Sequence, residues 1–163
     1  MQYASTYEGL IITAMNAKTK APAKPRQCPI HYAMEMFGDK WSLVIIRDLM
    51  FFAKRHYSEF LRSPDGISTN ILAARLVSLE KKGIITKEPD KNHKAKYVYS
   101  LTEKGLSLMP VMLSVINWSA TFSKHSAVPE GFVAEYEKDK DAFQDRLRRL
   151  YFAGIPAVTP RAD

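Results

Sequence analysis

The chain has 163 residues, 46% apolar and 25% charged, with a formal net charge of +7. That suffices for one domain with a hydrophobic core and excludes a fibrous or wholly disordered chain. No apolar run approaches the ~20 residues of a membrane span, and Met1–Met15 lacks the basic start of a secretory signal. Its single cysteine, Cys28, rules out an intrachain disulfide, so a reducing, cytoplasmic location without membrane attachment is expected.

The charge is unevenly spread, residues 1–27 summing to +3, 28–101 to +4 and 102–163 to zero. A basic excess suits a polyanionic partner, because each neutralised phosphate releases condensed counterions. At the start, Leu10, Ile11, Ala14 and Met15 have the spacing of a short amphipathic helix. Residues 18–27, KTKAPAKPRQ, read as an extended basic linker, which sets 1–27 apart as an N-terminal extension.

The dense part begins at Cys28. Pro29 occupies a first helical position, and Ile30, Ala33, Met34 and Phe37 follow at helical spacing until Gly38. Asp39 caps a second helix running to about Phe52, apolar over more than half its circumference and so a core helix. A third, shorter segment starts near Arg55 and ends in the turn from Ser63 to Gly66. Ser68 caps the next helix, where Leu72, Leu76 and Leu79 stack on one face and Gly83 supplies the left-handed stop.

After Gly83 the period changes from helical to alternating. Ile84–Glu88 and Lys96–Leu101 read as strands, joined by the polar, lysine-rich segment Pro89–Ala95 into a hairpin. Thr102 caps a fifth helix through Trp118, with Glu103 in its first turn and a kink expected at Pro110. A last helix spans about Pro129 to Tyr151, followed by a frayed tail. The expected divisions are 1–27, a folded domain over 28–122, a C-terminal helix over 123–154 and a tail over 155–163. The fold class is mainly α with a small β-hairpin, the element order of a winged helix-turn-helix.

In that arrangement the helix from Ser68 to Lys82 buries its leucines and turns Asn70, Ala73, Ala74, Val77 and Lys81 outward. Small alanines let a helix backbone lie deep in a major groove, while Ser68, Thr69 and Asn70 reach base edges or phosphates from the first turn. Arg75 belongs to the same helix. The hairpin adds Lys91, His93, Lys94 and Lys96 as a basic flap suited to phosphate contact. Double-stranded DNA is the partner these features point to.

The stretch from Cys28 to Trp118 resembles the HxlR-type branch of the MarR-like winged-helix regulators. The resemblance is carried by CPI (28–30), GDKWSLVIIRDL (38–49), RHYSEF (55–60), GISTNILAARLVSLEKKGII (66–85), YSLTEKG (99–105) and Trp118. It implies a transcriptional regulator that dimerises through its N- and C-terminal helices and binds a two-fold operator, with half-sites about 34 Å apart. It also implies phosphate contacts from Arg55 and His56, and Lys40, at another helix start, is placed for a further one. The chain departs from the family pattern before the second strand, where HKAKYVYSLT replaces a proline and a glutamate.

Cys28 precedes a helix start and lies two residues from Arg26, an environment that favours the reactive thiolate. In the resembled family a cysteine at this point serves some members as a sensor of oxidants or electrophiles, which makes Cys28 a redox-sensing candidate and an oxidant or small molecule a possible inducer. The four histidines are scattered, and Cys28 with His31 falls short of a zinc ligand set, so no metal or other cofactor is expected. Neither a phosphate-binding glycine loop nor a nucleophile elbow is present, and no catalytic residue is assigned. The alternative is a small-molecule-responsive or protein-interaction module on the same scaffold, with Met109, Met112, Trp118, Phe122, Phe132, Tyr136 and Phe143 forming a pocket or dimer core.

Overall fold

The computed structural model describes residues 28–93, 95–123 and 127–158. The chain divides into two compact units, Met1–Tyr32 and Ala33–Asp163. The expected N-terminal helix over 10–15 and the basic linker lie outside the described residues, as do Lys94 and the end of the tail.

Helix α1 is Pro29–Phe37, with proline at its first position and no buried residue. Helix α2, Lys40–Phe51, starts on the Asp39 carboxylate, which accepts hydrogen bonds from Trp41 N and Ser42 N. It carries Ile45, Ile46, Leu49, Met50 and Phe51 into the core, each 2% exposed or less. Helix α3 is Tyr57–Leu61 and helix α4 Thr69–Lys81. Strands β1, Ile85–Pro89, and β2, Tyr97–Leu101, pair antiparallel from Ile85 opposite Leu101 to Pro89 opposite Tyr97. Gly83, at φ 68°, makes the left-handed stop between α4 and β1.

The expected fifth helix is two. Helix α5, Glu103–Leu106, is capped by Thr102, whose Oγ1 accepts from Gly105 N at 3.0 Å. Helix α6, Met109–Phe122, follows after Ser107 and Leu108, so the break precedes Pro110, which sits in the first turn where its missing N–H costs nothing. Gly105 is required here: a Cβ would lie 2.2 Å from Ile84 O, so only glycine lets α5 rest against the start of β1.

Residues Glu103–Phe122 together are 20 residues long and, by length and composition alone, apolar enough to cross a membrane, which the sequence reading did not anticipate. Leu106, Met109, Met112 and Leu113 nevertheless pack into the protein core.

The last helix is also divided. Helix α7, Phe132–Lys138, ends at Asp139, whose extended backbone and carboxylate accepting from Ala142 N restart the chain as α8, Lys140–Ala153. Tyr136, Phe143, Leu147 and Tyr151 belong to the same core cluster as α2, α4 and the hairpin. The methionine and aromatic stripe therefore splits: Met109, Met112, Tyr136 and Phe143 are buried within one chain, while Trp118 and Phe122 remain 66% and 71% exposed.

Candidate nucleic-acid interface

Helix α4 is the centre of the site. Ser68, extended at φ −76° and ψ 156°, caps it with its hydroxyl accepting from Ile71 N. Leu72, Leu76 and Leu79 are buried, and Thr69, Asn70, Ala73, Ala74, Val77 and Lys81 are exposed. Val77 leaves 48% of its surface uncovered in mid-helix. The result is a smooth, small-residue front on a helix anchored from behind.

Arg75 sits at the edge of that front. Its Nε is 2.9 Å from Asp39 Oδ1, an ion pair without the angle of a hydrogen bond. Partial burial opposes ionisation of Asp39, but hydrogen bonds from Ser42 and the Arg75 charge outweigh it and hold the carboxyl below its ordinary value. One aspartate thus caps α2 and fixes the flank of α4. Lys40, next to it, is exposed, its ammonium 4.5 Å from the Trp41 ring centroid.

Helix α3 is held against α4 by Tyr57, whose hydroxyl donates to Thr69 O at 2.8 Å. Two basic residues assigned to DNA from the sequence have partners within the chain. The Arg55 guanidinium donates to Leu49 O at 2.8 Å, Lys54 O at 3.1 Å and Tyr151 O at 3.3 Å, and lies 4.4 Å from the Tyr151 ring centroid. His56 Nε2 is 2.9 Å from Asp90 Oδ2, joining the start of α3 to the hairpin. Glu59 accepts from both Arg55 N and His56 N at 2.7 Å. The basic pair leading into α3 therefore also builds the joint between α2, the hairpin and α8.

At the hairpin tip Asp90 Oδ1 accepts from Asn92 N and His93 N, and Asp90 N donates to Lys96 O. The Asn92 amide and His56 hold the Asp90 carboxyl below its usual range. Lys91, His93 and Lys96 are exposed around this turn, the placement a phosphate-contacting flap needs. Cys28, in the other compact unit, is exposed.

A buried charge network escaped the sequence reading. Asp48, 1% exposed, accepts from Arg47 Nη2 at 2.6 Å, Lys54 Nζ at 2.7 Å and Ser63 Oγ at 2.7 Å. Arg47 continues to Asp65 Oδ2 at 2.6 Å. The network clamps the turn between α3 and α4 onto α2. Its only signal in the sequence was a charged pair, Arg47 and Asp48, inside an apolar run.

The model of the HxlR-like helix-turn-helix family matches residues 36–127. Among similar proteins, the HTH-type transcriptional regulator YodB of Bacillus subtilis is 33% identical over 112 residues, covering 68% of this chain and 96% of YodB. The HTH-type transcriptional regulator YdeP of the same organism is 32% identical over 95 residues, 58% of this chain and 73% of YdeP. Among solved structures, the redox regulator HypR in its oxidized form superposes with a TM-score of 0.52 at 30% identity, covering 58% of this chain and 96% of HypR. A MarR-family protein from Porphyromonas gingivalis W83 does so at 0.51 and 28% identity, covering 63% and 99%.

Proposed function

The chain belongs to the HxlR-like helix-turn-helix family of transcriptional regulators, and from that premise we infer that it acts in the cytoplasm as a homodimer on two-fold sites in double-stranded DNA. Helix α4 enters the major groove, with Ser68, Thr69, Asn70, Ala73, Ala74, Val77 and Lys81 at the base edges and adjoining phosphates. Lys91, His93, Lys94 and Lys96 follow the backbone from the hairpin, and Lys40 adds a further phosphate contact. The observation that carries this reading is the exposure of Asn70, Ala73, Ala74 and Val77 on a helix whose opposite side buries Leu72, Leu76 and Leu79.

The second protomer covers the apolar strip of α6, where Val111, Val115, Trp118 and Phe122 stand exposed at helical spacing. Cys28 is the redox-sensing position. It is an exposed thiol in a chain similar to HypR, a redox regulator. Oxidation would join it to a second thiol, on the partner protomer or a small molecule.

Selection of a duplex site followed by binding at several salt concentrations tests the core of the reading. The logarithm of affinity is expected to fall linearly with the logarithm of salt, at about −0.9 per phosphate contacted. A flat salt response, or equal affinity for every sequence, overturns it. Peroxide is expected to change duplex affinity in the wild type and leave Cys28→Ser unmoved, and identical responses remove the thiol from the mechanism.

A further inference from the structure

His56 and Tyr57, adjacent at the start of α3, reach in two directions. The Tyr57 hydroxyl donates to the backbone oxygen of Thr69, the first residue of α4, at 2.8 Å. His56 Nε2 lies 2.9 Å from Asp90 Oδ2 at the tip of the hairpin. The His56 backbone is itself held, because Glu59 accepts from His56 N at 2.7 Å, and Glu59 Oε2 is 3.4 Å from His56 Nδ1. One dipeptide therefore ties α4 and the hairpin tip to a common point.

The tip has little else to hold it. The ladder between β1 and β2 ends at Pro89 opposite Tyr97, and a lone two-stranded hairpin is marginal in water. Beyond the ladder, Asp90 N donates to Lys96 O, Lys96 N donates to His93 O, and the Asp90 carboxylate accepts from Asn92 N and His93 N. All of these bonds stay within the tip. Among the described residues, the His56–Asp90 contact is the only hydrogen bond or ion pair that leaves the tip for a helix. A crevice of about 320 Å³, lined by His56, Ser58, Lys96 and Tyr97 among others, lies between α3 and β2, so close packing does not stand in for that bond.

A carboxylate among Lys91, His93 and Lys96 works by its charge against a phosphate-binding tip. The geometry of Asp90 gives it a different use. Its Oδ1 organises the turn, and its Oδ2 faces His56.

We propose that His56 is a positioning residue for the hairpin: through Asp90 it fixes the distance from the cationic tip to α4, so that both engage one duplex together. A tip free to swing has to be ordered on binding, and its cations then engage phosphates less of the time. The proposal rests on the DNA-binding reading above. It departs from the family resemblance at one residue, since His56 acts through Asp90 and not by touching phosphate itself.

Salt titrations of the selected duplex test the proposal. A His56 that contacted phosphate directly would contribute at most about 0.9 to the log–log slope. In His56→Ala the slope is expected to become shallower by about 1.8 or more, as two or more tip contacts are lost together, with the preference for the selected site over a scrambled duplex unchanged. Lys91→Ala, which makes the wild-type slope shallower by about 0.9, is expected to change nothing further in the His56→Ala chain. His56→Gln, whose side-chain amide can donate to Asp90, restores the wild-type slope. Asp90→Ala weakens binding although it removes a negative charge, and it supplies the same comparison with Lys91→Ala should His56→Ala fold poorly.

Hydrogen exchange in the free protein reads the tie without DNA. The Asp90 and Lys96 amides are expected to exchange about tenfold faster in His56→Ala, the loss of one hydrogen bond to a charged group. Additive slope changes in the double variant, a loss of no more than about 0.9 in His56→Ala, or unchanged amide exchange overturns the proposal. A wild type without salt-dependent duplex binding sinks the DNA reading instead, and the exchange experiment still decides whether His56 holds the tip.

Discussion

The Arg55 guanidinium stacks on Tyr151 at 4.4 Å from the ring centroid and donates to the same residue's backbone oxygen. Tyr151 in turn accepts from Leu101 N through its hydroxyl at 2.6 Å, and Arg55 O accepts from Tyr99 N at 2.8 Å. One arginine thus ties the end of α2, strand β2 and helix α8 together. A planar fork that serves three carbonyls and a ring has no lysine equivalent.

Arg55→Ala is therefore expected to lower stability by about 2 kcal/mol, since it strands buried carbonyls and removes a packed side chain. Arg55→Lys should recover little of that loss. A thermal melt reads the effect as a fall of roughly 4–8 °C. The salt slope of DNA binding should stay unchanged in both variants, whereas a shallower slope would return Arg55 to the phosphate contacts inferred from its sequence position.

Asp65 yields a prediction in pH. Its hydrogen bond from Arg47, with the arginine's charge, holds the carboxyl below its ordinary value of 3.8 despite partial burial. A carboxyl depressed in the folded state stabilises the fold above the unfolded value, and that contribution is lost as pH falls through the folded one. Unfolding free energy measured from about pH 6 downward should begin to fall about one unit above 3.8, where the unfolded carboxyl starts to bind protons, and continue to fall until the folded carboxyl is protonated. Asp65→Asn should be less stable at neutral pH and show a shallower acid limb, and an unchanged limb would show that Arg47 gives Asp65 no preference for its charged form.

The winged-helix order was legible because each element carries its own local signal. Ser68 caps, Leu72, Leu76 and Leu79 recur on one face, and Gly83 stops the helix, all within sixteen residues and all pointing to the same structure. Periodicity could not show the break at Asp139, because apolar spacing continues through it and only the competition of an aspartate side chain for Ala142 N interrupts the helix. The DNA-facing set was legible where exposure follows from helical phase, as for Asn70, Ala73 and Val77. It was not legible for Arg55, His56 or Arg75, whose partners Tyr151, Asp90 and Asp39 lie 96, 34 and 36 positions away. A basic residue in sequence carries no mark of whether its charge meets solvent, a phosphate or a carboxylate brought in by the fold.

Substitutions on the two parts of the proposed interface should differ in kind. Ala73→Glu places a carboxylate in mid-front on an exposed position, and should cut affinity for the selected site at least about tenfold without lowering the melting temperature. Lys91→Ala, at the exposed hairpin tip, should weaken all sequences alike and make the salt slope shallower by about 0.9. If Lys91→Ala changed sequence preference while leaving the slope intact, the hairpin would be reading bases rather than holding phosphates.

Trp118 and Phe122 pack with tilted rings, centroids 5.4 Å apart, and remain 66% and 71% exposed. Val111 and Val115 extend the strip toward the start of α6, at 41% and 46% exposure. Four apolar side chains in a row on one helix are costly to hydrate, and a two-fold axis lets one such strip cover its own copy. Sedimentation of the wild type should give a dimer. Trp118→Ala removes an aromatic anchor from each protomer of a two-fold interface, and at about 1 kcal/mol or more apiece the loss should weaken dimerisation at least about thirtyfold. Duplex affinity should fall with it, because the two half-sites no longer act together. A wild type that sediments as a monomer at all concentrations, or a Trp118→Ala variant that remains fully dimeric, would place the second protomer on some other face.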